Sequence, residues 1–191
     1  MTTFLAVVGS VTAPGRLHAA MAAAVEMAGA RSDVSATMLN LGDHRISFAD
    51  GRPLDLFTDD TAAVVARLAA SDALLLASPV YRGSLTGALK NLLDLTPLDA
   101  LRGKPVGIVA MGASAHHYLG VDWHLRAILA WFGALVAPTS VYLDSSHFRD
   151  GALTDAPSRA ALGDLVTTVV ELRAMAARAL GPPPLAAGRG S

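Results

Sequence analysis

The chain contains no cysteine. Disulfides, thiol nucleophiles, iron–sulfur clusters and cysteine-based zinc sites are thereby excluded, and the absence fits a reducing cytoplasm. Charge is also scarce: Asp, Glu, Lys and Arg make up 16% of the 191 residues, and the formal net charge is −1. The basic residues are scattered and form no stripe of the kind that tracks nucleic acid. The near balance also argues against a strongly acidic electron carrier steered onto basic partners. No uninterrupted apolar run is long enough to span a bilayer. The longest, Ala127 to Pro138, reads as buried helix, turn and the start of a strand. Met1 to Gly9 has neither a basic n-region nor a signal peptidase pattern, so no export signal is expected and the protein is expected in the cytoplasm, without membrane or nucleic-acid partners. What the chain does have is apolar residues, at 52%, in a length that suits one domain with a large core. That composition excludes a disordered or coiled-coil chain.

Short apolar runs alternate with helical patterns. Strands are predicted at Phe4–Val8, Val34–Leu41, Ala73–Ala77, Pro105–Met111 and Val136–Leu143. Helices are predicted at Arg16–Ala28, Asp60–Ala70 (capped by Thr58 or Asp59), Leu85–Leu95, Leu119–Phe132 and Ala156–Leu180. Strands without polar alternation, each followed by a helix, imply a parallel sheet covered on both faces. Five of them suit an α/β, flavodoxin-like three-layer sandwich with strand order 2-1-3-4-5, whose ligand lies at the switch point between the first and third strands. Residues 1–180 are read as a single domain and 181–191, with Pro182-Pro183-Pro184, as a disordered tail.

Two helices look apolar on more than one face. In Leu119–Phe132, Val121, Leu125, Ile128, Leu129 and Phe132 form one stripe, and Leu119, Trp123, Ala127, Ala130 and Trp131 another. Leu85–Leu95 carries Leu85, Leu89, Leu92 and Leu93 with Ala88 and Leu95 beside them. One stripe covers the sheet, and a subunit interface is the simple cover for the other, which predicts a homo-oligomer, dimer or tetramer.

Four loops at strand ends carry chemistry. After the first strand, Gly9-Ser10-Val11-Thr12-Ala13-Pro14-Gly15-Arg16-Leu17 leads into a helix start. Amides there attract anions, Ser10 and Thr12 add hydroxyls, and Arg16 adds a charged donor. The loop is neither a P-loop nor a Gly-x-Gly-x-x-Gly turn, and it also reads as a plain connection rich in turn residues. After the third strand, Pro79 restricts Ser78, Val80 and Tyr81 offer apolar surface to a ring, and Arg82, Gly83 and Ser84 offer backbone amides. Each of these residues taken singly also fits an ordinary turn with a packed tyrosine and a surface arginine. Gly112-Ala113-Ser114 follows the fourth strand and Asp144-Ser145-Ser146-His147-Phe148 the fifth. Asp144 either caps a surface turn or lines the mouth of the site. A Ser-His hydrolase is disfavoured because His116 stands where Gly-x-Ser-x-Gly needs glycine. A metal site is disfavoured because no His-Glu-x-x-His pattern or carboxylate cluster accompanies the histidines.

The string from Ser78 through Asp94 resembles the flavin-ring loop of the NADPH-dependent FMN reductase family, and the likeness extends from about Phe4 to Phe148. It implies FMN and NADPH as the redox pair, held by Ser10, Thr12, Gly15, Arg16, Leu17, Pro79, Val80, Tyr81, Arg82, Gly83, Ser84, Gly112, Ala113, Ser114 and Asp144. It requires no catalytic acid or base, and it implies reduced FMN passing by diffusion to a partner monooxygenase. The alternatives are an FMN-bound quinone, azo or nitro reductase, or a binding module without reductase activity. The family pattern in the first loop is Gly-Ser, a spacer, then Ser-Arg and Ser or Thr. Gly15 and Leu17 depart from it, so two phosphate-facing hydroxyls are missing. At about 0.5–1.5 kcal/mol each, their loss weakens FMN by about ten- to a hundredfold, enough to make it a loose substrate. Ala113 replaces a second glycine, which narrows the backbone approach if that position requires positive φ.

Overall fold

Along the first strand, Phe4, Ala6 and Val8 face one hydrophobic cluster while Leu5 and Val7 face another. In the third, Ala73, Leu75 and Ala77 alternate in the same way with Leu74 and Leu76. Side chains alternate across a strand, so continuous apolar sequence means burial on both faces. A computed structural model describes residues 1–114 and 118–176. The expectations for His116, His117, the end of the last helix and the tail lie outside the described residues.

The elements are β1 (Thr2–Val8), α1 (Arg16–Gly29), β2 (Val34–Asn40), α2 (Thr61–Ala70), β3 (Ala73–Pro79), α3 (Gly87–Leu95), β4 (Pro105–Met111), α4 (Tyr118–Trp131), β5 (Leu135–Val136), β6 (Val141–Leu143), β7 (Phe148–Arg149), β8 (Ala152–Leu153) and α5 (Ala156–Met175). The parallel sheet runs β2-β1-β3-β4-β5, with β6 also paired to β4. Helices α1 and α5 cover one face, and α2, α3 and α4 the other. Register aligns Val8 with both Asn40 and Ala77, so the carboxyl ends of β2, β1 and β3 open side by side.

Polar side chains fix the starts of α2, α3 and α5. The N-caps Thr86 and Asp155 bond the first turns of α3 and α5, whereas Asp60, the N-cap of α2, makes no such bond and the preceding Asp59 does. The Asp59 carboxylate accepts from the Thr61 amide at 3.0 Å and from the Ser47 hydroxyl at 2.6 Å. Those bonds, led by the one from Ser47, hold its pKa down to about 2. The Thr86 hydroxyl accepts from the Leu89 amide at 3.1 Å, so α3 begins at Gly87, two residues after the expected Leu85. Asp155 caps α5 through the Ser158 amide at 2.9 Å. Helix α1 differs: its N-cap is Gly15, with no side-chain cap and no acidic residue in the first turn.

The expected fifth strand, Val136–Leu143, is broken. Val136 pairs with Val106 and Val141 with Val109, and the intervening chain leaves the ladder. Pro138 has no amide to donate. The Arg126 guanidinium takes the carbonyls of Ala137 and Pro138 at 2.8 and 3.2 Å while its Nε bonds Asp122. An arginine on α4 thus replaces the missing ladder bonds.

Candidate functional site

A cleft of about 190 Å³ opens at the carboxyl ends of β1 and β3. It is lined by Ser10, Thr12, Ala13, Pro14, Gly15, Arg16, Leu17 and His18 from the first loop and α1, with Val8, Asn40, Pro79, Tyr81 and Met111 from the strand ends. Its position is the switch point expected for this strand order.

The loop is fixed from beneath. The Gly9 amide donates to the Ala77 carbonyl at 2.7 Å, and the Thr86 hydroxyl donates to the Gly9 carbonyl. The Thr86 amide in turn donates to the Ser78 hydroxyl at 3.0 Å. One threonine therefore caps α3 and ties the β1 loop to the β3 loop. Above this anchor, the Ser10 and Thr12 hydroxyls bond each other at 2.8 Å. The ladder of α1 begins with the Ala19 amide on the Gly15 carbonyl at 2.9 Å. The amides of Arg16, Leu17 and His18 precede that first bond and are the free donors of an uncapped helix. Among the described residues, Arg16 has no hydrogen-bond or ion-pair partner.

The β3 loop is a two-residue hairpin. The Tyr81 amide donates to the Ser84 carbonyl at 2.8 Å and the Ser84 amide to the Tyr81 carbonyl at 3.0 Å. Arg82 and Gly83 sit at φ 52° and 77°, the left-handed pattern of a type I′ turn. Tyr81 is half exposed beside the cleft, Val80 packs into the core, and Arg82 is exposed without a partner among the described residues. The hairpin rests on α4, where a Cβ on Gly120 would lie 2.4 Å from the Gly83 carbonyl.

Not every expected site residue lines this cleft. Arg82, Gly83 and Ser84 form the hairpin beyond it. Gly112, Ala113 and Ser114 follow Met111, held by the Gly112 amide on the Leu143 carbonyl at 3.0 Å and by the Tyr142 hydroxyl on the Ser114 carbonyl at 2.5 Å. Burial, and then the Asp144 charge, raise the Tyr142 pKa, so its phenol stays a donor. Ala113 is exposed and has no positive φ, so its methyl group brings no backbone strain. Asp144 caps the turn at Ser145–His147, accepting from the Ser146 hydroxyl and amide at 2.5 and 2.8 Å, which lower its pKa. Among the described residues no cluster of His, Asp or Glu fits a metal ion.

His18 and Asn40 line the cleft although sequence reasoning passed over them. His18 is the third residue of α1, one step past the loop pattern. Asn40 ends the strand next to β1, a position that strand order alone marks as facing the switch point. Its side chain turns the chain locally, accepting from the Gly42 amide at 3.3 Å and donating to Asp43 at 3.0 Å.

The donor set suits a flavin mononucleotide. The cleft combines amides, two hydroxyls and an unpaired guanidinium for a phosphate with Tyr81, Pro79 and Met111 as apolar surface for a ring. Fold and site together define an α/β protein with a nucleotide-type cleft at its switch point. Residues 2–148 match the family described as NADPH-dependent FMN reductase. An NAD(P)H-dependent FAD/FMN reductase of Geobacillus thermodenitrificans is 38% identical over 73% of this chain and 76% of its own length. The NADH-dependent FMN reductase SfnF of Pseudomonas putida is 33% identical over 77% and 80%. The apo form of NADH:FMN oxidoreductase EMOB superposes with a TM-score of 0.72 at 25% identity, covering 96% of this chain and 92% of that one. The chain belongs to the NADPH-dependent FMN reductase family.

Proposed function

We propose that the protein is an NAD(P)H:FMN oxidoreductase that takes FMN as a diffusible substrate and releases it reduced, for use by a flavin-dependent monooxygenase. The uncapped α1 start carries this reading: its free amides and the unpartnered Arg16 supply an anion site without a side-chain anion of their own. Bound flavin supplies the hydride chemistry by accepting hydride from the reduced nicotinamide. The chain's own residues bind, orient and exclude water. The β1 loop holds the phosphate end, Pro79 and Tyr81 give one wall for the ring, and the exposed Arg82 offers a cation to a nicotinamide nucleotide phosphate or to charge on the reduced ring. No proton-transfer residue is required. The absence of hydroxyls at Gly15 and Leu17 supports loose, substrate-like binding.

No helix among the described residues is long and apolar enough to cross a membrane. We place the reaction in the cytoplasm, where reduced nicotinamide nucleotides are held, and a second copy of the chain against the exposed face of α4.

The test is nicotinamide oxidation by the purified protein with and without added FMN, after its visible spectrum is recorded. A colourless protein whose NADPH or NADH oxidation depends on added FMN is expected. A yellow protein that oxidises them without added FMN and reduces quinones or azo compounds would replace this reading with a bound-flavin reductase. Absence of both flavin binding and oxidation would leave a module without reductase activity.

A further inference from the structure

We propose that His18 is a side-chain ligand of the flavin phosphate, restoring one donor where Gly15 and Leu17 leave two hydroxyls missing, so that binding stays looser than with both. The inference rests on the FMN reading of the cleft and adds a residue that the loop pattern does not contain.

Three observations carry it. First, the two substituted positions cannot serve. Gly15 has no side chain, and Leu17 is 7% exposed and packed in the core between α1 and the sheet. The backbone there keeps its amides but presents no hydroxyl. Second, His18 lines the cleft together with Ser10, Thr12 and Arg16, and its imidazole has no hydrogen-bond partner among the described residues. A half-buried polar ring facing a cleft is satisfied by water or by a ligand. Third, its place in the helix aims it correctly. Side chains on a helix tilt toward the N-terminus, and a polar group at the third position reaches back over the first turn, as in a capping box. In α1 no cap occupies that space, so an imidazole N–H reaching back meets whatever the free amides bind. A neutral imidazole with one N–H suffices, and no change of charge is needed.

The phosphate then has four side-chain ligands, two hydroxyls, a guanidinium and an imidazole, around the amides of the first turn. FMN should bind more tightly than riboflavin, which is the same ring and ribityl chain without the phosphate.

Affinities of FMN and riboflavin, read from quenching of flavin fluorescence, test this in wild type, H18A and H18Q. Alanine favours the helix, and a thermal melt of each variant checks the fold. A hydrogen bond to a charged group corresponds to roughly a tenfold or larger change in Kd. The expected result is an H18A variant with FMN weakened about tenfold or more, riboflavin unchanged, and most of the FMN affinity restored in H18Q. FMN affinity unchanged in H18A would overturn the assignment, as would equal weakening of both flavins, which would place His18 on the ribityl chain or in the fold. Wild type that binds FMN no better than riboflavin would overturn the phosphate cradle itself, and the assignment with it.

Discussion

A β-carbon placed on Gly112 would lie 1.9 Å from the Tyr142 hydroxyl and 3.0 Å from its ring. That hydroxyl also holds the Ser114 carbonyl, so one tyrosine on β6 fills the space beside the β4 loop and fixes the loop's path. The glycine was legible in the sequence as part of a family pattern, but its reason was not, because the contact joins residues far apart in the chain. The sequence drew attention to Ala113, where the structure shows no constraint. G112A should destabilise the protein by about 1–3 kcal/mol through overpacking, and Y142F by about 1 kcal/mol through the lost hydrogen bond. The double variant should cost less than their sum, since removing the oxygen removes the closest clash. Urea unfolding of the four proteins measures the coupling. Strict additivity would show that the loop moves away from the tyrosine instead of meeting it.

At the scale of elements, the hairpin after β3 combines strain with exposure. Arg82 is in the left-handed region at φ 52°, where a type I′ turn favours asparagine or glycine. Its guanidinium makes no bond among the described residues that would offset this. R82N should therefore stabilise the protein by about 0.5–1 kcal/mol, while kcat/KM for the nicotinamide nucleotide falls because the exposed cation of the hairpin beyond the cleft is lost. Urea unfolding and steady-state kinetics at saturating FMN measure the two effects. Gained stability with unchanged kinetics would remove Arg82 from the site. Sequence pattern placed a loop here, where Pro79 fixes the exit from the third strand, without its hairpin form. It placed β1 to β4 and the starts of the five helices within a few residues, because β1, β3 and β4 are buried on both faces. It did not anticipate the short pair β7 and β8. It failed at the fifth strand. Val136–Leu143 reads as one apolar run, and neither Pro138 nor the Arg126 fork on α4 that replaces its ladder bonds can be weighed from local pattern alone. The seat of the hairpin against Gly120 was hidden for the same reason, since helix and hairpin meet only in the folded chain.

Across the whole molecule, the two apolar helices separate. The leucines of the stripe assigned to α3 are used internally, with Leu85, Leu89, Leu92 and Leu93 at 9%, 0%, 0% and 2% exposure, while Ala88 and Leu95 beside them stay half-buried. Helix α4 keeps its second face. Val121, Leu125, Leu129 and Phe132 are buried, whereas Trp123 and Trp131 remain 71% and 53% exposed. Trp131 also borders an open groove of about 490 Å³ with Leu93, Leu98, Ala127 and Ile128. Two exposed tryptophans on one helix, one of them beside this groove, whose lining also includes Lys90, Asp94 and Thr96, present apolar surface that water covers poorly. A second copy of the chain can place its own α4 there, burying the same residues from both sides as a two-fold contact requires. The double variant W123E/W131E should then shift the protein from oligomer to monomer in size-exclusion chromatography with light scattering. Because both indoles face solvent in the single chain, the monomer core should keep its far-ultraviolet circular dichroism. Wild type that is already monomeric at micromolar concentration would sink the interface. A variant that stays oligomeric would move it to another face, and either outcome would leave Trp123 and Trp131 free to meet a different partner.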